Sequence, residues 1–256
     1  KWTDCLPVGS GRLGAMIPGG IKRNICNLNE VSLWSGAPFE NADRPNAHEH
    51  LTELRNAIDN GGYKKAQDIL DEHFTNFGGG FEGAYSCSYQ TLGDIIFESD
   101  IPDSEYKNYI RRLSLSDAVY SDSIDYGDCT FNRYAFASNA DDVIVFKFES
   151  SKKERINLKI SFARLDIAEI RYTDSGFSFY GYCDNDRTHL KFAGQCKIIA
   201  GGGSVSSGEK YTEIKNSNSA VVIFTAATDY ILNQSKNFKG EDPVKKCEKI
   251  INSASN

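Results

Sequence analysis

The chain has 256 residues and a mass of 28.4 kDa, enough for one large domain or two small ones with an adequate core. With 40% hydrophobic and 25% charged residues it is neither disordered nor fibrous. The balance of 29 Lys and Arg against 35 Asp and Glu, a net charge of −6 without any basic run, lacks the electrostatic footprint of a nucleic-acid partner. No stretch reaches the ~18 uninterrupted apolar residues of a membrane-spanning helix, so membrane insertion is not expected.

The opening forty residues are rich in Gly, with β-type segments at Gly14 to Ile17 and Ile21 to Leu28 split by Pro18-Gly19-Gly20, which predicts a hairpin. Asn46 followed by Glu49 has the spacing of a capping box. Ala47, Leu51, Leu54 and Ile58 then predict an amphipathic helix that stops at Asn60-Gly61-Gly62. Tyr63, Ala66, Leu70 and Phe74 mark one face of a second helix ending at Gly78-Gly79-Gly80. A helical hairpin is thus inserted in a β pattern.

From Leu92 the period becomes two, most plainly in Ile156 to Phe162. Strands are expected near 92–98, 106–115, 118–126, 129–137, 142–149, 165–173, 176–182, 189–200, 210–215 and 219–226, separated by Asp, Asn, Ser and Gly clusters. Turns such as Thr173-Asp174-Ser175-Gly176 indicate hairpins and not crossover helices. The fold class is therefore mainly β: a large antiparallel β super-sandwich with an inserted helical hairpin. The sandwich domain is expected over residues 1–240. A last helix is capped by Asp242, with Pro243 at its first position and Val244, Cys247 and Ile251 on one face. That helix over 241–256 reads either as a lid on its own domain or as a linker into a further one.

Chemistry-bearing motifs are sparse. Gly9-Ser10-Gly11-Arg12-Leu13-Gly14 has the letters of a dinucleotide fingerprint, but Pro18-Gly19-Gly20 cuts off the helix it needs, so a tight β turn explains the glycines better. His48 and His50 point to nearly opposite sides of a helix, with only His73 and His189 besides, and do not make a metal site. Asp184-Asn185-Asp186 lacks the Gly and distant Glu of a calcium loop. Seven cysteines, widely spaced and odd in number, indicate neither a disulfide framework nor zinc. No metal or cofactor is expected. Asp94, Glu98, Asp141, Asp142 and Asp166 lie in strand-rich regions, where exposure at strand ends is the default. Phe177, Phe179, Tyr180 and Tyr182 cluster, as do Tyr85 and Tyr89; core packing explains most strand aromatics, and sugar rings also stack on exposed ones.

Leu6-Pro7-Val8-Gly9-Ser10-Gly11-Arg12-Leu13-Gly14-Ala15-Met16 is followed by Leu28-Asn29-Glu30-Val31-Ser32-Leu33-Trp34-Ser35-Gly36. Then come Tyr89-Gln90-Thr91-Leu92-Gly93-Asp94 and Arg111-Arg112-Leu113-Ser114-Leu115-Ser116-Asp117-Ala118. This ordered series resembles the opening of glycoside hydrolase family 95, which contains α-L-fucosidases. Ser10 and Thr91 stand where members of that family usually carry Asn and Pro. The resemblance implies an N-terminal β super-sandwich joined by helices to an (α/α)6 barrel. In the family the barrel carries an inverting pair, a Glu acid and an Asp that works with Asn side chains on water. None of these maps onto this chain, so no catalytic residue is expected here. The partners implied are a downstream catalytic domain and a fucosylated oligosaccharide or glycan, and the compartment implied is periplasmic or extracellular. Lys1 in place of Met leads to the expectation that an upstream segment was removed. Asn29, Glu30 and Trp34 are the candidates for a loop at a substrate-cleft rim, because they join hydrogen-bonding groups to an aromatic face in a segment without alternation; otherwise Trp34 plugs a domain interface and Glu30 caps a turn. The competing readings are a free-standing carbohydrate-binding β-sandwich module and a self-sufficient enzyme using sandwich carboxylates.

Overall fold

The computed structural model describes residues 2–35, 44–74, 88–183 and 190–255. The chain divides into two units, Lys1–Trp34 with Tyr89–Asn256, and Ser35–Ser88. In the first unit the strands are β1 (Leu6–Gly9), β2 (Leu13–Ile17), β3 (Arg23–Glu30), β4 (Gly93–Ser99), β5 (Tyr106–Ser114), β6 (Val119–Tyr126), β7 (Cys129–Ser138) and β8 (Val143–Ser150). They continue with β9 (Ile156–Ala163), β10 (Ile167–Thr173), β11 (Gly176–Cys183), β12 (Leu190–Ala200), β13 (Ser204–Ser207), β14 (Thr212–Ser217) and β15 (Ser219–Thr228). Among the described residues these form two antiparallel sheets, one of seven strands in the order β1-β2-β3-β4-β9-β14-β13 and one of eight in the order β10-β11-β12-β15-β8-β7-β6-β5.

Alternation along each strand turns one face of each sheet toward the other. Ile156, Leu158, Ile160 and Phe162 of β9 are buried, as are Phe146 and Phe148 of β8, Phe177 and Phe179 of β11 and Phe224 of β15. The rings of Phe162 and Phe179 stack across the core at 4.1 Å, and Phe97 lies 4.9 Å from Phe146. Full burial of each such side chain stabilises the fold by about 1.5–3 kcal/mol. Two glycines allow the close approaches. Gly176 opens β11 at a φ of +135°, and a Cβ there would lie 2.1 Å from the Cys196 carbonyl oxygen; at Gly194 a Cβ would occupy the space taken by the Phe179 ring.

The hairpin at Pro18 to Gly20 forms as expected, with Leu13 paired to Glu30 and Met16 to Asn27. Gly9 pairs with Gly14 across a β turn, where a nucleotide-binding fold would start a helix. Two strands escaped the sequence pattern, β1, which contains a proline, and β13, four residues of Ser204–Ser207 with a single apolar side chain.

The final helix, α3 (Pro243–Ala254), starts as predicted: the Asp242 carboxylate accepts a hydrogen bond from the Val244 N–H at 2.8 Å. A hydrogen bond from Lys191 holds the Asp242 carboxyl below its ordinary range. Cys247 packs on Ala193 and Ala227, and Ile251 on Val143 and Ile223, so α3 covers part of the outer face of the eight-stranded sheet. No helix among the described residues is long and apolar enough to cross a membrane.

The second unit contains α1 (Leu51–Asp59), led by a 3-10 turn over Ala47–His50, and α2 (Tyr63–His73). The expected capping box does not form. Asn46 takes the left-handed conformation at φ 61°, which asparagine tolerates, and its side chain makes no cap bond. The buried face is also rotated from the expected one: Leu54, Ala57, Ala66 and Ile69 pack together, while Ile58 and Tyr63 are exposed. Ala57, three residues after Leu54 on α1, meets Ala66 and Ile69 of α2 in place of Ile58. The helices are further joined by stacked His50 and His73 rings, 3.5 Å apart, and by a 2.9 Å pair between Lys65 and Glu53. The expected stop at Gly78-Gly79-Gly80, Tyr85, Cys87, the Asp184-Asn185-Asp186 turn and His189 lie outside the described residues.

Two outcomes follow from this packing. Phe224→Ala should lower the unfolding free energy by about 3–5 kcal/mol, read as a fall in the urea midpoint. Burial pushes the Cys26 and Cys196 thiols far above their ordinary range and that of Cys247 to about 12. These three should resist an aromatic disulfide reagent at pH 8 until the protein is unfolded. Burial favours the neutral thiol, so its contribution is complete below the unfolded value and is lost as pH rises toward about 12 for Cys247.

Candidate functional site

The segment around Asn29, Glu30 and Trp34 lies at one end of the sandwich, where β3 leaves its sheet. The expectation of a loop without alternation is corrected here: Asn29 and Glu30 are the last two residues of β3, whose side chains alternate in and out. Glu30 therefore points inward and is only 2% exposed, while Asn29 faces outward beside its partner Gly14. The structure does not bring these two side chains together. Trp34 lies beyond the strand, 46% exposed, and pairs with Tyr89, which is 43% exposed. Their rings meet edge to face at 5.3 Å. The Trp34 indole N–H donates to the Val31 carbonyl at 3.0 Å, and the Tyr89 hydroxyl donates to the Glu30 carbonyl at 3.3 Å.

The Glu30 carboxylate is fully committed. One oxygen accepts from the Ser32 N–H at 2.8 Å and the Ser32 hydroxyl at 2.6 Å, which closes the turn after β3. The other faces Arg12 Nη1 at 3.4 Å. Arg12, from the turn between β1 and β2, also binds Asp142 Oδ1 at 2.9 Å and the Ala226 carbonyl at 2.5 Å. The Thr225 hydroxyl donates to the Asp142 carbonyl at 2.8 Å, and Ser32 reaches Thr228. One guanidinium thus ties the seven-stranded sheet to the ends of β8 and β15. Glu30 and Asp142 are both bound to it.

A second buried carboxylate, Asp122 of β6, is used in the same way. It accepts from Arg133 Nε at 2.7 Å and from the Tyr120 hydroxyl, while Arg133 Nη1 donates to the Gly20 carbonyl at 2.6 Å. Asp94, Glu98, Asp141, Asp142 and Asp166 are all solvent-accessible to some degree, as strand-end charges should be. Sequence reasoning missed Arg12, Ser32, Thr225 and Thr228 as a unit because Arg12 lies 130 residues from its ion partner Asp142 and 213 from Thr225. The only sequence signal was the occurrence of Arg12 and Glu30 within the two N-terminal motifs.

The fold is a large two-sheet antiparallel sandwich in which the buried carboxylates serve packing. Residues 1–233 match the family described as "Glycosyl hydrolase family 65, N-terminal domain", and the chain belongs to that family. It is 32% identical over 287 residues to "Alpha-L-fucosidase 2" of Arabidopsis thaliana, an alignment covering 99% of this chain and 32% of that protein. It is 34% identical over 155 residues to "Probable alpha-fucosidase A" of Aspergillus niger, covering 58% of this chain and 18% of the other. The chain thus spans about a third of the length of its Arabidopsis relative. A solved structure, "Putative kojibiose phosphorylase from human microbiome", superposes with a TM-score of 0.48 at 9% identity, covering 95% of this chain and 32% of that one. The chain is an N-terminal domain of a glycoside hydrolase related to α-fucosidases.

Arg12→Ala would leave Glu30 buried with Ser32 as its remaining partner. The expected cost is about 3–5 kcal/mol of stability, against a smaller loss for Arg12→Lys, measured by urea unfolding.

Proposed function

We propose that this chain is the non-catalytic N-terminal sandwich of a family 95 α-L-fucosidase that hydrolyses terminal α-L-fucosyl linkages of glycans. It buttresses the catalytic domain and presents the Trp34–Tyr89 pair at the rim of the cleft. The observation that carries the non-catalytic role is the commitment of Glu30 and Asp122 to Arg12 and Arg133. Inverting hydrolysis needs two carboxyl groups about 6.5–9.5 Å apart with water and sugar between them. Glu30 and Asp142 share the Arg12 guanidinium, which takes the place of water and sugar between them, and Asp122 is held by Arg133. The fucosidase names of the relatives and the ordered N-terminal motifs support the substrate class. Glycans of this type lie outside the cytoplasm, which makes the periplasm or the cell exterior the proposed compartment.

The rim role uses Trp34 and Tyr89 as amphipathic faces that stack on a sugar ring. Asn29 faces the other side of the strand, so its contribution would be to the outer surface of the seven-stranded sheet. A second reading, a free-standing carbohydrate-binding module, is favoured by α3, which buries its Cys247 and Ile251 stripe on its own sheet.

The chain, purified from a host without fucosidases, should release no L-fucose from an α-1,2-fucosylated oligosaccharide; measurable release would overturn the non-catalytic role. In the full-length enzyme that this reading requires, Trp34→Ala should raise KM several-fold with little change in kcat. An unchanged KM removes the pair from the rim.

A further inference from the structure

The Tyr180 and Tyr182 side chains, unlike Phe177 and Phe179, point away from the core, onto the outer face of the eight-stranded sheet. There α3 covers β12, β15 and β8 and leaves β10 and β11 open. Two adjoining hollows of about 220 and 330 Å³ run along its flank. Ser178 and Gln195, paired across β11 and β12, line both, so they form one groove. Five residue steps from Ser175 to Tyr180 at about 3.4 Å each give it a length of roughly 17 Å, that of an oligosaccharide more than of a single sugar.

The register sets the chemistry of the floor. Glu169 lies opposite Tyr180 and Arg171 opposite Ser178 on β10, and α3 contributes Glu248 and Asn252 to the wall. Tyr180 and Tyr182 meet edge to face at 6.4 Å, and Lys191 Nζ, held by Asp242, sits 5.4 Å from the Tyr180 ring centre. That contact fixes the base of an aromatic platform. Elsewhere in the sandwich, buried charges are consumed by partners across the sheets. Here, among the described residues, Glu169, Arg171, Gln195, Glu248 and Asn252 form no side-chain hydrogen bond or ion pair within the chain.

A groove of this kind offers an amphipathic ring, acceptors, donors and an amide of both polarities, with acidic and basic groups in balance. Arg171 and Lys197 offset Glu169 and Glu248, so the groove has no net positive charge to hold a polyanion, and an apolar peptide would strand five polar side chains without partners. A neutral pyranose chain satisfies both requirements: its C–H face lies on an aromatic ring while its hydroxyls both donate and accept. We propose that the groove between α3 and strands β10 to β12 is a binding site for a neutral oligosaccharide, stacked on Tyr180 and hydrogen-bonded by Arg171, Gln195 and Glu169. The site does not depend on which bond the proposed enzyme cleaves.

The test is a titration of the chain with two neutral probes, 2′-fucosyllactose and cellotetraose, followed by amide NMR shifts at Ala193, Gly194 and Gln195. Saturable binding to at least one probe is expected, in the range of about 0.1–1 mM typical of a shallow open groove. Tyr180→Ala should weaken it about tenfold or more. Because Tyr180 also packs beside Ala193 and Cys247, Gln195→Ala provides a second variant without that packing and should weaken binding several-fold. Tyr63→Ala, an exposed tyrosine of the helical unit, should leave binding unchanged. Absence of saturable shifts with both probes, binding untouched by Tyr180→Ala and Gln195→Ala, or tighter binding of a sulfated oligosaccharide than of either neutral probe would each overturn the proposal. Failure here would leave the fucosidase reading intact, since that rests on hydrolysis by the full-length enzyme.

Discussion

Phe162 and Phe179 stack across the middle of the sandwich, and the other large rings gather around that contact: Phe177 and Phe224 lie within 5.9 and 6.3 Å of Phe162, and Phe192 within 6.4 Å of Phe179. Two sheets this wide stay together because their inner faces have no other way of leaving water. The ring layer fixes the spacing between the sheets and demands a glycine at position 194, where the Phe179 ring takes the place of a side chain. Once the inner faces are committed, the outer faces, the turns and the ends of the strands are what remains for recognition.

The ends of the sandwich are held by charge. Arg12 bridges Glu30 and Asp142 at one place, and Arg133 binds Asp122 and the Gly20 carbonyl at another. A buried carboxylate without a partner would be expelled or protonated, so each is matched with a guanidinium that also satisfies backbone carbonyls. The same matching engages these carboxylates within the fold, as fasteners between strands.

The groove beside α3 reverses this arrangement. Its Glu169, Arg171 and Gln195 stand on an open sheet face without side-chain partners among the described residues, next to an aromatic pair. The helix creates it by stopping short of β10 and β11. Cys247 and Ile251 find small or branched partners on β12, β15 and β8, and Tyr180 of β11 packs at the edge of the Cys247 cluster. Covering part of the sheet stabilises it, and the uncovered part becomes a wall and a floor.

Most of the β architecture was legible because a half-buried strand must alternate: β4 to β12 and β14 to β15 lie where period two placed them, and the turn at Thr173 to Gly176 is a hairpin. β1 and β13 were not, since Pro7 and a run of serines carry no such signal. The final helix was readable from Asp242, Pro243 and its three-residue stripe, all of which are local. The helical hairpin was readable in kind but not in phase, because its buried face is set by the packing of α1 on α2, where the small Ala57 and Ala66 meet.

The sequence by itself determined the kinship with α-fucosidase-related glycoside hydrolases, through motifs in fixed order, and the two-sided character of each strand, through its period. Only the tertiary structure decided that Glu30 is buried and Asn29 is not, that Arg12 reaches Asp142 and Ala226, and that Tyr180 lines a groove while Phe177 and Phe179 fill the core. Alternation separates two faces but does not say which one meets the other sheet. That choice is made by side chains as many as 213 residues apart, when the strands close on one another.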